Sequence, residues 1–316
     1  MNDQSQIQFE RVLSQPFIKP ARGSPAPDAV TTPDVFTIED DHRMVVGAVD
    51  AGQESLISFP FPIEALQSGS SVSVPENASV VLKPGPYDFN CNHVFDPAIV
   101  SWGKEFFLYY SAVGKRNDSI GLATSSDGIR FNKYPRPILS GRSPEVVFCE
   151  DKLFLFYVKR PCGHGYRIYS VESTNGISFQ ETRKEPVVGE GEPGEWDHYE
   201  VTTPRIFRRG EFYFLLYAAS QNPERVDLPD GFGLARSSDL QNWKKYPYNP
   251  VFRLGQKGSW DDGAIWFGDV FNYMENLFLV YEGGRMEDIQ THSPGLTQVG
   301  LAQIRASVFD QIAAAW

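Results

Sequence analysis

The sequence predicts an all-β fold, a five-bladed β-propeller with four antiparallel strands per blade, and three observations carry the prediction. The stretch "GEWDHYEVTTPRIF" at 194–207 returns in register as "GSWDDGAIWFGDVF" at 258–271. A strand-opening phrase occurs five times, as "TPDVF" from Thr32, "DPAIV" from Asp96, "SPEVV" from Ser143, "TPRIF" from Thr203 and "FGDVF" from Phe267. Aromatic residues make up 14% of the chain beside 27 glycines and 23 prolines, a mix that favours short strands joined by tight turns.

Each opening phrase is read as the inner strand of a blade. After a turn containing Gly, Asp, Asn or Glu comes a second apolar run: "MVVGAV", "FFLYYSA", "LFLFYV", "FYFLLYAA" and "LFLVYEG". These runs are short, aromatic and β-branched, which favours strands over helices. A third strand recurs as "SIGLATSSDGIRF", "RIYSVESTNGISF", "GFGLARSSDLQNW" and "QVGLAQI", with Asp127, Asn175 and Asp239 read as turn formers after it. The fourth strand is read as "VVLKP", "RPIL", "EPVV" and "NPVF". Repetition at this period is the sequence form of propeller blades.

The blades are expected at approximately 31–85, 94–140, 143–189, 200–253 and 260–307, in a single domain covering 1–316. The fifth unit lacks a fourth strand, whereas "QPFIKP" near the N-terminus matches one. Residues 15–18 are therefore expected to cross over and close the ring, because an open propeller would leave two unpaired edges.

At 316 residues and 41% hydrophobic content the chain can bury a core. Its net charge of -11 and lack of a Lys/Arg run argue against nucleic-acid binding, which needs a basic face. The start "MNDQSQIQFERV" lacks the basic and apolar segments of a signal peptide, and no apolar run is long enough to span a membrane. Three cysteines without CxxC spacing fit neither a disulfide framework nor a zinc site. The expectation is a cytoplasmic protein with no nucleic-acid or membrane partner.

Residues opening the inner strands converge on one mouth of a propeller's channel, where a pocket is expected. The position after the proline reads Asp34, Ala98, Glu145, Arg205 and Asp269, and the position before it reads Thr32, Asp96, Ser143, Thr203 and Phe267. His93, Asp197, His198, Glu200, Asp261 and Asp262 stand slightly upstream. Carboxylates crowded into a partly desolvated channel push their pKa values apart, giving a proton donor beside an ionised base. Glycosidic bond cleavage uses that pairing.

Asp34, Asp96, Glu145 and Glu200 are the candidate catalytic carboxylates, although an Asp or Glu beside a proline also serves as a plain turn residue. Candidate substrate-binding residues are His93, Arg205, His198, Asp269, Asp262 and Trp266. Arg205 is the lone cation at its aligned position and either binds an anionic substrate group or neutralises the acids around it. The Trp-Asp pairs at 196 and 260 are read first as blade packing and second as a sugar-stacking platform. No cofactor or metal ligand set is expected, although the convergent acids leave room for a structural metal ion in the central channel.

With "NHVFDPAIVSWGKEFFLYYSA", "SIGLATSSDGIRF" and its copy "GFGLARSSDLQNW", "NPVF" and the Trp-Asp phrases, nearly the whole chain resembles the five-bladed propeller glycoside hydrolases of families 43 and 32 and the related families 117 and 130. The family 43 resemblance implies a general-base Asp, a pKa-tuning Asp and a general-acid Glu on different inner strands. Asp34 or Asp96 would supply the first two and Glu145 or Glu200 the third. It implies hydrolysis of a small carbohydrate substrate. The family 130 resemblance implies instead a glycan phosphorylase, with Arg205 and Arg160 or His93 on inorganic phosphate. A propeller that only binds its ligand is the remaining alternative.

Overall fold

A computed structural model of the chain describes residues 6–115, 118–291 and 297–316, with the polar start Met1–Ser5 outside them. Five antiparallel sheets form a closed ring, a five-bladed β-propeller. The inner strands Ala29–Ile38, His93–Trp102, Arg142–Cys149, Glu200–Arg209 and Ala264–Tyr273 contact one another in order around the axis, the fifth returning to the first.

The second strands are Asp41–Asp50, Glu105–Val113, Lys152–Lys159, Phe212–Ser220 and Asn276–Gly284. They lie mid-sheet with a blade packed on either face, which is why their apolar runs are continuous rather than alternating. Five apolar cores result, one between each pair of neighbouring blades.

A tyrosine and a glycine on facing strands recur within blades. Tyr110, Tyr217 and Tyr281 pair with Gly121, Gly233 and Gly300 of the third strand. A Cβ at Gly121 would stand 2.3 Å from the Tyr110 ring, so the "GLA" phrase leaves a bed for the aromatic ring. The hydroxyls of Tyr217 and Tyr281 donate to Asp197 and Asp261 at 3.1 and 2.8 Å, and Trp196 and Trp260 stack on the same tyrosine rings. The Trp-Asp repeat is therefore blade packing, with the carboxylates bonded to tyrosine hydroxyls. Asp127, Asn175 and Asp239 each accept two backbone amides in the turn that follows the third strand.

The outer strands depart from expectation. In the first blade the outer strand Ser79–Leu82 lies where "VVLKP" placed it, but in the second, third and fourth it begins earlier, directly after the turn, and in two blades it is broken into pieces: Asn132–Lys133 with Leu139–Ser140, and Lys244–Lys245 with Phe252–Arg253. The prolines in "RPIL" and "NPVF" lack the N–H that a ladder needs, so only the residues after them pair. In the third blade the outer strand is Gln180–Glu181, and Val188 adds a single bridge to Ile168.

The N-terminal segment closes the fifth blade. Ile18–Lys19 pairs antiparallel with the third strand Thr297–Arg305, and Val72–Ser73 then covers its free edge in parallel. Upstream, Glu10–Arg11 pairs with Gln303 and Ala302. The last residues form a helix outside the repeat, Ala306–Ala315, whose Phe309 is buried against Phe207 and Phe214. Among the described residues, no helix is long and apolar enough to cross a membrane.

Phe17 and Ile18 are fully buried between the first and fifth blades. Phe17→Ala is expected to cost about 3–5 kcal/mol by leaving a cavity at the closure. Denaturant unfolding would measure it, and an unchanged midpoint would show that the ring does not rely on this strand.

Candidate active site

All five inner strands carry the same bulge. Thr32, Asp96, Ser143, Thr203 and Phe267 adopt φ between 40° and 51°, left-handed values that are strained for any residue but glycine. Strand pairing skips at the same places, between Thr31 and Asp34, Phe95 and Ala98, Arg142 and Glu145, Thr202 and Arg205, and Trp266 and Gly268. A bulge re-aims side chains. Here it separates the residues before the proline, at the mouth, from those after it, which form a closed layer around the axis.

In the axial layer the acids join neighbouring blades. Asp34 accepts the Ile99 amide at 3.0 Å, Glu145 the Ile206 amide at 2.9 Å and Asp269 the Val35 amide at 2.8 Å. Arg205 is 1% exposed and donates to the carbonyls of Pro97 and Pro144 at 2.9 Å and of Pro204 at 3.2 Å. Its guanidinium lies 3.5 Å from Glu145 and over the Phe267 ring.

Four expected site residues are thereby reassigned. Arg205 is shut off from any substrate by the carbonyls it serves, and Asp34, Glu145 and Asp269 are blade staples. Nor do these residues suit a metal ion on the axis, because a guanidinium already supplies the positive charge and each acid is engaged by a backbone amide. Among the described residues, no three His, Cys, Asp or Glu side chains are grouped to hold a metal.

Two further expectations change. Asp262 accepts the amides of Gly258 and Met286 and so shapes a turn and the start of the helix Met286–Thr291. Its carboxyl is held below the usual range by those two amides, against the opposing effect of burial. The His198 ring bonds the Gly191 carbonyl at 3.1 Å within its own loop.

The mouth gathers Asp96, Glu200, His93 and Trp266 from the expected set. Asp96 is fully buried; its Oδ2 accepts the hydroxyls of Ser111 at 2.7 Å and Ser143 at 3.2 Å, while no donor among the described residues reaches Oδ1. Glu200 accepts the amides of Tyr166 at 3.3 Å and Asp227 at 3.0 Å. The Trp266 indole donates to the Asp227 carbonyl at 2.8 Å, and His93 Nδ1 faces the Glu54 amide at 3.4 Å.

Sequence reasoning missed five members of this cluster: Glu54, Glu282, Asp227, Arg142 and Tyr166. Glu54 accepts the Thr31 hydroxyl, and Glu282 accepts the strained Thr32 amide at 2.9 Å. Arg142 stacks over Phe95, donates to the Tyr166 hydroxyl at 3.2 Å and lies 3.5 Å from Asp227. Glu282 had a signal, a carboxylate following the blade tyrosine in the apolar run "LFLVYEG", where the other blades place Gly, Ser, Val or Ala.

Burial dominates the electrostatics. It pushes Asp96 up to about 6, against the Arg142 charge and the Ser111 hydroxyl. Burial raises Glu54 to about 7, assisted by the Asp96 charge, and Glu282 to about 8, assisted by Glu54. Glu200 rises to about 7 through burial and the neighbouring Asp227 charge. In the axial layer burial raises Asp34 to about 7, with help from Asp269, and Glu145 to about 8 against the Arg205 charge.

Carboxyls whose folded pKa lies above the unfolded value bind protons more tightly in the folded state. Their contribution to stability is complete below the unfolded pKa, near 4, and is lost as pH rises through about 8. The unfolding temperature is expected to fall between pH 5 and pH 8, with Glu145→Gln flattening part of the slope; a midpoint rising over that range would contradict the assignment. Arg205→Met strands three buried carbonyls and is expected to destabilise by about 3–5 kcal/mol, measured by denaturant unfolding.

No family model and no curated protein matches the sequence. Solved structures do match in fold. A thermostable family-43 glycoside hydrolase is 17% identical, with a TM-score of 0.64 over 89% of this chain and 92% of its own. A structure from the GH130 family of mannoside phosphorylases, a family that contains glycoside hydrolases targeting β-1,2 mannosidic linkages in Candida mannan, is 14% identical, with a TM-score of 0.69 over 97% and 96%. An N-acetylgalactosamine deacetylase from F. plautii, in complex with blood group B trisaccharide, is 16% identical, with a TM-score of 0.68 over 95% and 96%. The chain therefore shares the five-bladed propeller fold of these carbohydrate-active proteins.

Proposed function

We propose that the protein hydrolyses glycosidic bonds at the mouth of the propeller, with Asp96 as general base and Glu200 as general acid. The observation carrying this reading is the state of Asp96: one carboxylate oxygen is fixed by two serine hydroxyls, and the other is desolvated with no donor. That arrangement orients a base while leaving one oxygen to take a proton.

Burial pushes Asp96 only to about 6, against the Arg142 charge, so it is ionised near neutrality. Glu200, at about 7, retains its proton on much of the enzyme at the same pH. In the proposed step, a water oxygen attacks the anomeric carbon as its proton passes to Asp96 Oδ1. The bond from that carbon to the leaving oxygen breaks, and Glu200 gives the leaving oxygen its proton. Asp227, whose charge helps raise Glu200, is the tuning carboxylate. Trp266 and Tyr166, both half-buried at the rim, offer ring faces for a sugar.

The test is turnover of a panel of aryl glycosides and oligosaccharides, with and without inorganic phosphate. The expected profile rises as pH increases through about 6, where the base ionises, and falls above about 7, where the acid loses its proton. Asp96→Asn and Glu200→Gln should each lower kcat by about 10²–10⁴-fold without a comparable loss of stability. Glu145→Gln should spare kcat in enzyme that remains folded. Turnover only with phosphate would replace hydrolysis by phosphorolysis, and turnover unaffected by Asp96→Asn would remove the proposed base.

A further inference from the structure

Beside the mouth lies an open cavity of about 520 Å³ whose lining includes Arg142, Lys159, Arg160, Tyr166 and Asp118. Three cations and one acid line it, with Asp227 and Glu181 just behind, in a chain whose net charge is -11. The cations are only loosely neutralised: Arg142 lies 3.7 Å from Asp118 and 3.5 Å from Asp227, and Lys159 lies 4.0 Å from Glu181. Arg160 bonds the His164 carbonyl through Nε. The Nε of Arg142 is buried with no hydrogen-bond partner among the described residues. The axial Arg205 also leaves Nε without a partner among the described residues, but both of its terminal nitrogens are spent on carbonyls, whereas the terminal nitrogen of Arg142 reaches only the Tyr166 hydroxyl and Asp227.

The cavity adjoins the proposed acid, because Tyr166 lines it, donates its amide to Glu200 and accepts Arg142 on its hydroxyl. On its other side it shares Ser140 with a second cavity of about 590 Å³ lined by Phe89, Pro137, Ile138 and Leu139. Together they make a path running outward from the mouth along the second blade, with volumes typical of small-molecule sites.

We propose that this path holds the leaving-group side of the substrate and that the sugar next to the cleaved bond carries a carboxylate, bound by Arg142, Lys159 and Arg160. The assignment rests on the reading of Glu200 as the acid, which places the leaving group on its side of the mouth. A free anion would need only the basic cavity. A chain-borne carboxylate also uses the cavity beyond it, which offers Phe89 and prolyl surface to the next ring beside the exposed Asp88–Lys115 ion pair. Guanidinium groups suit a planar carboxylate.

The experiment is calorimetric binding to the full chain carrying Glu200→Gln, so that no turnover intervenes. The probes are disaccharides and trisaccharides containing glucuronate or galacturonate, their carboxyl-reduced counterparts, inorganic phosphate and sulfate. At least one uronate probe is expected to bind tenfold or more tightly than its reduced counterpart. That margin should disappear in the Lys159→Ala/Arg160→Ala double variant, which alters rim side chains and leaves the axial layer intact.

Equal affinity for acidic and reduced probes, or no uronate binding at all, overturns the inference. So does phosphate binding that the double variant abolishes while uronate binding stays absent, since it assigns the cavity to a free anion. Uronate binding lost in the double variant, together with silence of the wild type toward every glycoside, would keep the carboxylate site and overturn the hydrolase reading and the leaving-group assignment that rests on it.

Discussion

The guanidinium of Arg205 is the constraint on which the centre of this propeller turns. Five inner strands bulge around one axis, and the left-handed residue in each interrupts its ladder. A single buried side chain from the fourth blade donates to the bulge carbonyls of the second, third and fourth blades. Carboxylates from the first, third and fifth blades take the amides of their neighbours. Charge in this layer serves hydrogen bonding first, and the layer forms the floor on which the mouth is built.

The mouth can then be strained and acidic because the floor beneath it is tied together by Arg205 and by carboxylate-to-amide bonds. Left-handed bulge residues cost free energy, and desolvated carboxyls cost more; both persist only where surrounding structure over-determines them. The same bulges that strain the backbone lift Asp96 and Ser143 clear of the axial layer. Serine and threonine groups around them hold carboxylates in fixed orientations, so burial and mutual repulsion act on pKa values rather than on geometry. Proton uptake by the buried acids is thereby coupled to folding, which ties the stability of the whole ring to pH.

Apolar packing of the blades is a separate matter, and it was legible. A tyrosine over a glycine, a tryptophan over that tyrosine, and an Asp or Asn in the following turn are local arrangements whose residue types admit few alternatives. Their repetition let the blades be counted and the N-terminal strand be matched to its missing partner. The broken outer strands and the terminal helix were less visible, the former because prolines interrupt a ladder without ending it. The terminal helix lies outside the blade repeat, and its buried positions Phe309 and Ala313 are spaced four apart along one helical face, a signal that a search for strand repeats does not register.

By itself, then, the sequence determined the fold, the number of blades, the closure, and the fact that acids gather where inner strands begin. Only the tertiary structure decided which acids face the mouth. Alternation along a strand would put Thr32 with Asp34, and Ser143 with Glu145, on the same side; the left-handed bulge between them breaks that period, sending one residue to the mouth and the next into the floor. Glu54, Asp227 and Glu282 come from a third strand, a loop and a second strand, so no spacing within one repeat could have grouped them. Their convergence exists only because five separate blades meet at one axis.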